Sequence, residues 1–280
     1  MKEEKVALVT GSSSGIGFET ALALARSGFE TYATMRDVRK GERIKREAEG
    51  TRLHVLQLDV TSDQSVRQAV DTIMKENGRI DVLVNNAGYG LFGPVEELSM
   101  EELKAQFETN FFGLVRVTQA VLPAMRKQEG GGGKIINISS IGGRVGFPGS
   151  PAYCSTKFAV EGLSETMAFE LEPFGIRVVL VEPGMIKTNF AGAGVVAKNT
   201  QDPGSPYAPF IQKMFAAAAP LVENAIPAQE VADAVVTAAV ADDPEFRYLV
   251  GRDAKGLARM KAGARSDREF LASLKKLHGL

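Results

Sequence analysis

Short apolar runs alternate with longer stretches of helical spacing along most of the chain. Lys5–Thr10 (KVALVT) is a compact apolar run bounded by a Gly/Ser cluster, the pattern of a strand buried on both faces. Ile16–Ser27 carries apolar residues at helical spacing and stops at Gly28, a C-terminal capping residue. The same reading predicts strands at Phe29–Met35, Leu53–Leu58, Asp81–Asn85, Lys134–Ser139, Ile176–Glu182 and Arg247–Val250. It predicts helices at Lys40–Glu49, Ser62–Asn77, Met100–Lys127 (interrupted by Pro123), Ala152–Glu172 and Ala228–Val240. Strands separated by single helices predict a parallel sheet with right-handed crossovers. No solenoid-type repeat is present, and residues 1–280 read as one α/β domain.

The rhythm fails between Met185 and Pro227. That stretch holds Gly192, Gly194, Pro203, Gly204, Pro206, Pro209 and Pro220, interleaved with Phe190, Val195, Val196, Phe210, Met214 and Phe215. A long irregular segment inside a compact domain is usually functional or disordered, and its apolar content argues for a substrate-covering lid. The tail Arg252–Leu280 has eight basic and three acidic residues and is expected to form a solvated or subunit-contacting amphipathic helix. Glu129–Gly133 reads as a flexible connector.

Composition narrows the partners. With 33 basic and 34 acidic residues, the formal charge is −1, which supplies no basic face for nucleic acid. Cys154 is the sole cysteine and reads as a packing residue, so no internal disulfide forms. His54 and His278 stand far apart, and no metal site is expected. The charged N-terminus, Met1 to Lys5, runs directly into a strand without a signal peptide. No apolar run approaches the ~20 residues of a membrane helix. The expectation is a soluble cytoplasmic protein.

Candidate chemistry begins at Thr10-Gly11-Ser12-Ser13-Ser14-Gly15-Ile16-Gly17, between the first strand and first helix. Glycines there let the backbone turn tightly and approach a pyrophosphate, whose charge the helix N-terminus favours. Asn85-Asn86-Ala87-Gly88 ends the fourth strand, and Asn110 begins an N-x-x-G in the next helix. Ser140 follows the fifth strand, and Tyr153-Cys154-Ser155-Thr156-Lys157 supplies Y-x-x-x-K. Pro183-Gly184-Met185-Ile186-Lys187-Thr188 follows the sixth strand. In type, order and position these motifs resemble the short-chain dehydrogenase/reductase family. The resemblance implies a three-layer, doubly wound Rossmann fold, a seven-stranded parallel sheet with helices on both faces.

Tyr153 and Lys157 carry a chemical argument of their own. At i and i+4 of one helix they share a face. A free phenol titrates near pH ~10, too high for an efficient base at neutral pH, and a neighbouring ammonium favours phenolate and is expected to lower that value toward the working range. Ser140 can hydrogen-bond a substrate carbonyl oxygen. The family resemblance adds that Lys157 holds the nicotinamide ribose and that Asn110 supports a water relay. It also implies that Asp59 and Val60 form the adenine pocket. Asn86, Ala87, Gly88, Pro183 and Gly184 line the dinucleotide, and Ile186 and Thr188 meet the nicotinamide carboxamide.

The choice of cofactor turns on Met35-Arg36-Asp37. An acidic side chain closing the second strand would bind the ribose hydroxyls of NAD, but register puts Met35 there. Arg36 follows and can pair with a 2′-phosphate. The reading is NADP(H), assisted by Ser13; Asp37 keeps NAD(H) open as the alternative.

Tyr-Ala-Thr-x-Arg-Asp and Tyr-Cys-Ser-Thr-Lys-Phe-Ala resemble the branch that contains 17β-hydroxysteroid and retinol dehydrogenases. That resemblance and the apolar lid imply a lipophilic carbonyl or alcohol substrate. The resemblance also implies a homodimer or homotetramer built on the helices Met100–Lys127 and Ala152–Glu172. Two rivals stand beside it: a catalytically idle NADP-binding regulator, and a nucleotide-sugar epimerase or dehydratase.

Overall fold

The computed structural model describes residues 4–128, 130–188 and 194–280. Readings that fall on Met1 to Glu3, on Glu129, and on Phe190 and Gly192 of the expected lid lie outside the described residues.

Seven strands form the main sheet: β1 (Val6–Val9), β2 (Glu30–Met35), β3 (Leu53–Gln57), β4 (Val82–Asn85), β5 (Gly133–Ile138), β6 (Ile176–Pro183) and β7 (Arg247–Val250). All pair in parallel, in the order β7-β6-β5-β4-β1-β2-β3. The strand order therefore reverses between β1 and β4, and an open α/β sheet forms its ligand crevice at such a switch point.

The helices follow in chain order: α1 (Gly15–Arg26), α2 (Glu42–Glu47), α3 (Asp63–Asn77), α4 (Met100–Phe107), α5 (Gly113–Lys127), α6 (Pro151–Leu171), α7 (Ala208–Glu223), α8 (Ala228–Val240), α9 (Arg252–Gly263) and α10 (Asp267–Leu277). One face of the sheet packs Phe18, Leu22 and Leu24 of α1 with Val231 and Val235 of α8. The other packs Val66 and Ile73 of α3 with Val117, Val121 and Met125 of α5 and Met167 of α6. Each large side chain so withdrawn contributes roughly 1.5–3 kcal/mol. The expected three-layer Rossmann architecture is what forms.

Local signals set the boundaries. Ser62 caps α3 by accepting a hydrogen bond from Ser65 N at 3.2 Å, and left-handed Gly78 ends it. Ser99 and Glu102 form a reciprocal capping box at α4.

Three expectations need correction. The single helix expected at Met100–Lys127 is α4 and α5 joined by a π-type turn, Glu108–Phe112. The irregular stretch contains α7. Pro209 sits in its first turn, where a missing N–H costs little, and Pro220 falls in its last turn, so the prolines mark the ends of an Ala-rich helix. The tail is two helices rather than one, amphipathic as expected: most of its residues are exposed, and one face is buried. Ala254, Phe270 and Leu274 of α9 and α10 pack with Ile141 and Val145, in the loop that follows Ser140.

Candidate active site

The Gly-rich turn lies at the switch point, and its glycines are required by geometry. Gly11 and Gly15 have φ of +70° and +61°. A Cβ on Gly17 would lie 2.3 Å from Asn86 Nδ2 and 2.5 Å from Gly11 O; one on Gly11 would lie 2.8 Å from Ala87 Cα. Asn86 Nδ2 donates to Thr10 O and Gly11 O at 2.9 and 3.1 Å, and Thr10 Oγ1 accepts from the amides of Asn86 and Ala87. Asn86 therefore spends its side chain bracing the turn from β4. Thr10, the acceptor that joins the two loops, is a site residue that the sequence reading missed. Ser12 turns inward to Val9 O at 3.0 Å, whereas Ser13 is part-exposed and Ser14 exposed. Ser14 stands at the N-cap of α1 without a side-chain capping bond. Ile16 packs against the core.

The end of β2 matches the register argument. Met35 is its buried last residue, and Arg36 next to it is exposed. Arg36 makes no side-chain hydrogen bond or ion pair among the described residues. Asp37 is committed elsewhere: its carboxylate takes Arg39 Nε and Nη2 at 2.8 and 2.9 Å and the Arg39 amide at 3.1 Å. Those bonds hold its pKa down at about 2. Asp59 accepts from Thr61 N and Oγ1 at 2.9 and 2.8 Å, while Val60 is buried against Gly113.

At the other end of the crevice, the π-type turn carries Asn110. Its Oδ1 accepts from Tyr89 N at 3.0 Å, and its Nδ2 donates to Tyr89 O at 2.9 Å and to Thr156 Oγ1 at 3.3 Å. Thr156 in turn donates to Tyr153 O at 2.7 Å, so Asn110 is tied to the tyrosine's own helix. Gly88 lies against the Asn110 side chain. Ser140, immediately after β5, accepts from Gly142 N at 3.0 Å and hydrogen-bonds Tyr153. Lys157 Nζ lies 5.8 Å from the Tyr153 ring centre and donates to Ile138 O at 2.7 Å. Ser140, Tyr153 and Lys157 converge on one place, with Asn110 one side chain away.

The electrostatics differ from expectation at one point. Burial lowers the Lys157 pKa to about 8, partly opposed by Glu161. Burial raises the Tyr153 phenol to about 12, opposed by the Ser140 hydrogen bond. The expected lowering of the phenol by the ammonium does not appear: desolvation raises it, the Ser140 hydrogen bond is what opposes the rise, and Lys157 Nζ donates to the Ile138 carbonyl. At neutral pH the tyrosine is a protonated donor beside an ammonium. Cys154 is buried, with its thiol pKa raised for the same reason.

Pro183 closes β6, and Ile186–Lys187 pairs in parallel with Ile226–Pro227. Thr188 lies over Gly15, 3.4 Å from where a Cβ would stand, so this loop meets the Gly-rich turn. Asp253, in the first turn of α9, accepts from Met185 N at 2.6 Å. Its Oδ1 would be 2.1 Å from a Cβ on Gly184, which explains the glycine. Asp253 was missed because 68 residues separate it from its partner. Its one sequence signal is an acidic residue opening a helix.

The segment from residue 194 onward is fastened to residues 91–102. Val195–Val196 pairs with Leu91–Phe92, and Lys198 N donates to Glu102 at 3.0 Å. Tyr207 OH donates to Glu96 at 2.6 Å, and Ser205 hydroxyl donates to Glu97.

Comparison with known proteins agrees with this fold. The family model for short chain dehydrogenases matches residues 5–197. The 3-ketodihydrosphingosine reductase of Bacteroides thetaiotaomicron is 48% identical over 67% of this chain, an alignment spanning 66% of that protein. The human 17-beta-hydroxysteroid dehydrogenase type 1 is 35% identical over 96% of this chain and 84% of its own. Among solved structures, ElxO with NADP bound is 30% identical with a TM-score of 0.74, covering 91% of this chain and 99% of that one. The chain belongs to the short-chain dehydrogenase family, and it is an oxidoreductase.

Proposed function

We propose that the protein interconverts a carbonyl and an alcohol on a lipophilic small molecule with NADP(H), Tyr153 transferring the proton. The observation that carries this reading is the convergence of Ser140, Tyr153 and Lys157 at one end of a crevice whose other end offers Arg36, without a side-chain hydrogen bond or ion pair among the described residues.

The residues fit a dinucleotide. The close approaches at Gly11 and Gly17 press the Gly-rich turn onto Ala87 and Asn86 and fix its shape at the N-terminus of α1, where Gly11, Ser13, Ser14, Gly15, Ile16 and Gly17 would cradle the pyrophosphate. Arg36 would pair with the 2′-phosphate. Asp59 and Val60 would border the adenine, and Asn86, Ala87 and Gly88 would form the floor. Lys157 would hold the nicotinamide ribose, with Pro183, Gly184, Ile186 and Thr188 around the carboxamide. When bound, NADPH supplies the hydride that reduces the carbonyl carbon. Ser140 and Tyr153 hydrogen-bond the carbonyl oxygen, stabilising the charge that develops there. Tyr153 then gives its proton to that oxygen and completes the alcohol; in oxidation it takes the proton back. Lys157 stabilises the phenolate left between these events, and Asn110 holds Tyr89 and the helix of Tyr153 in place for proton return through solvent.

A lipophilic substrate is supported by relatives whose names denote a ketodihydrosphingosine and a hydroxysteroid. It is also supported by the apolar residues of the fastened segment, where Met214 packs against Gly149. In this reading that segment serves as the lid, and the packing of α9 and α10 on the Ser140 loop supports one functional domain. Exposed Phe112, Phe158 and Phe169 on the α5 and α6 side support a homo-oligomer. Among the described residues no helix is long and apolar enough to cross a membrane. A panel of lipophilic ketones and aldehydes with NADPH and NADH tests the reading. Cofactor oxidation coupled stoichiometrically to alcohol formation, faster with NADPH, is expected; binding of NADPH without turnover of any carbonyl would contradict it.

A further inference from the structure

One turn beyond Lys157 on α6 stands Glu161, only 7% exposed. Its Oε2 accepts from Arg247 Nε and Nη2 at 3.3 Å. Arg247 opens β7 at the sheet edge and also reaches Glu165 and, at 3.0 Å, Glu182. Glu182 is fully buried in β6 immediately before Pro183, and its other oxygen takes Arg144 at 3.2 Å. Arg144 ends the turn that Ser140 begins. That turn lies flush on the cluster: a Cβ on Gly143 would stand 2.8 Å from Ser139 Oγ, 2.9 Å from Glu161 Cγ and 3.0 Å from Lys157 O.

The loops bearing Ser140 and Pro183–Thr188 and the helix bearing Lys157 therefore meet on one charged cluster. Burying carboxylates is expensive, and an apolar group of similar shape would serve packing at least as well. The charges themselves suggest why they are there. Arg144 and Arg247 set two positive charges against three carboxylates, Glu161, Glu165 and Glu182, and Lys157 is the third cation. The groups facing Lys157 and Glu161 are Tyr153 and Glu165 of the same helix, Ser139 and Arg144 beside Ser140, Glu182 of β6 and Arg247 of β7. We propose that Glu161, supported by Glu182, Arg144 and Arg247, is a positioning residue that holds Lys157 in its ammonium form against the Ile138 carbonyl. The inference concerns the charge state on which the proposed proton transfer rests. Burial alone would strip that charge, and Glu161, one turn on, opposes it; burial raises the Glu161 carboxyl too, and Ser139 and Arg247 act against that rise and favour its ionised form.

The test reads Lys157 directly. Lysine enriched in carbon-13 at Cε is incorporated, and the Lys157 signal is assigned by its loss in Lys157→Arg. The wild-type signal is expected to titrate at about 8. Glu161→Gln should titrate at least about one unit lower, an approximately tenfold loss of ammonium above the midpoint. Glu161→Asp, which keeps the charge, should restore most of the difference. Glu182→Gln should shift the midpoint in the same direction by less, and it serves where Glu161→Gln does not fold. An unchanged or higher midpoint in a folded Gln variant would overturn the proposal, even if that variant melted at a lower temperature. The readout needs no turnover, so failure of the carbonyl panel would remove the proposed reaction without touching this measurement.

Discussion

Burial sets the protonation of the two residues one turn apart near the start of α6, and it moves them in ways that have consequences for stability. Lys157 titrates at about 8 when folded against 10.5 in the unfolded chain, so between those values the unfolded chain binds more protons. Stability therefore rises with pH across that window; below it, the charged, desolvated lysine costs on the order of 3 kcal/mol. Tyr153, raised from 10.0 to about 12, acts oppositely between those two values, because there the folded state keeps the proton that the unfolded chain has lost. Comparing wild type with Lys157→Met isolates the lysine. The difference in melting temperature should move in favour of the wild type from about pH 7 to about pH 10; a flat difference would mean that the lysine is not desolvated.

The proposed role of Arg36 bears on a different quantity, selectivity. A guanidinium–phosphate pair contributes about 1.5–3 kcal/mol, so Arg36→Ala should weaken NADPH binding roughly 10- to 100-fold. NADH binding should hardly change, because Asp37 is already paired with Arg39. Fluorescence titration with both cofactors checks this, and a parallel loss of both would remove Arg36 from the phosphate site.

The elements bring these residues together through joints of unequal visibility. Strands β1, β4 and β6 are short buried apolar runs, and α8 and β7 lie where periodicity puts them. The Tyr153/Lys157 pair is legible because i,i+4 spacing fixes a shared face before any tertiary contact forms. Helix α7 was not legible, because Pro209 and Pro220 read as breakers although they occupy terminal turns. The joint made by Asp253 was not legible either, since no local pattern couples α9 to the loop after β6. Removing that carboxylate leaves the Met185 amide without its acceptor and frees the Gly184 loop. Asp253→Ala should lower kcat/KM about tenfold and the melting temperature by a few degrees, with Asp253→Asn between, as expected for a charged hydrogen bond. Steady-state kinetics beside thermal unfolding check it; full activity would show that the loop holds its shape unaided.

At the scale of the whole molecule, the sheet order 3-2-1-4-5-6-7 places the phosphate end of the crevice at the β1/β4 switch point and the proton-transfer end after β5. The C-terminal helices brace that second end by packing on Ile141, Val145 and Phe147. The architecture could be read from strand–helix alternation, whereas the role of the tail could not, because amphipathicity shows a buried face but not its partner. The buried cluster of Glu161, Glu182, Arg144 and Arg247 was equally hidden, its members scattered over four segments. In the proposed reaction all these supports serve one event, delivery of a proton from the Tyr153 phenol to a reduced carbonyl oxygen. The most direct test is Tyr153→Phe, which keeps the ring and loses the proton. NADPH affinity should stay within about threefold while kcat for carbonyl reduction falls by about 10²- to 10⁴-fold. A variant that binds NADPH and turns over within about tenfold of the wild type would contradict the account.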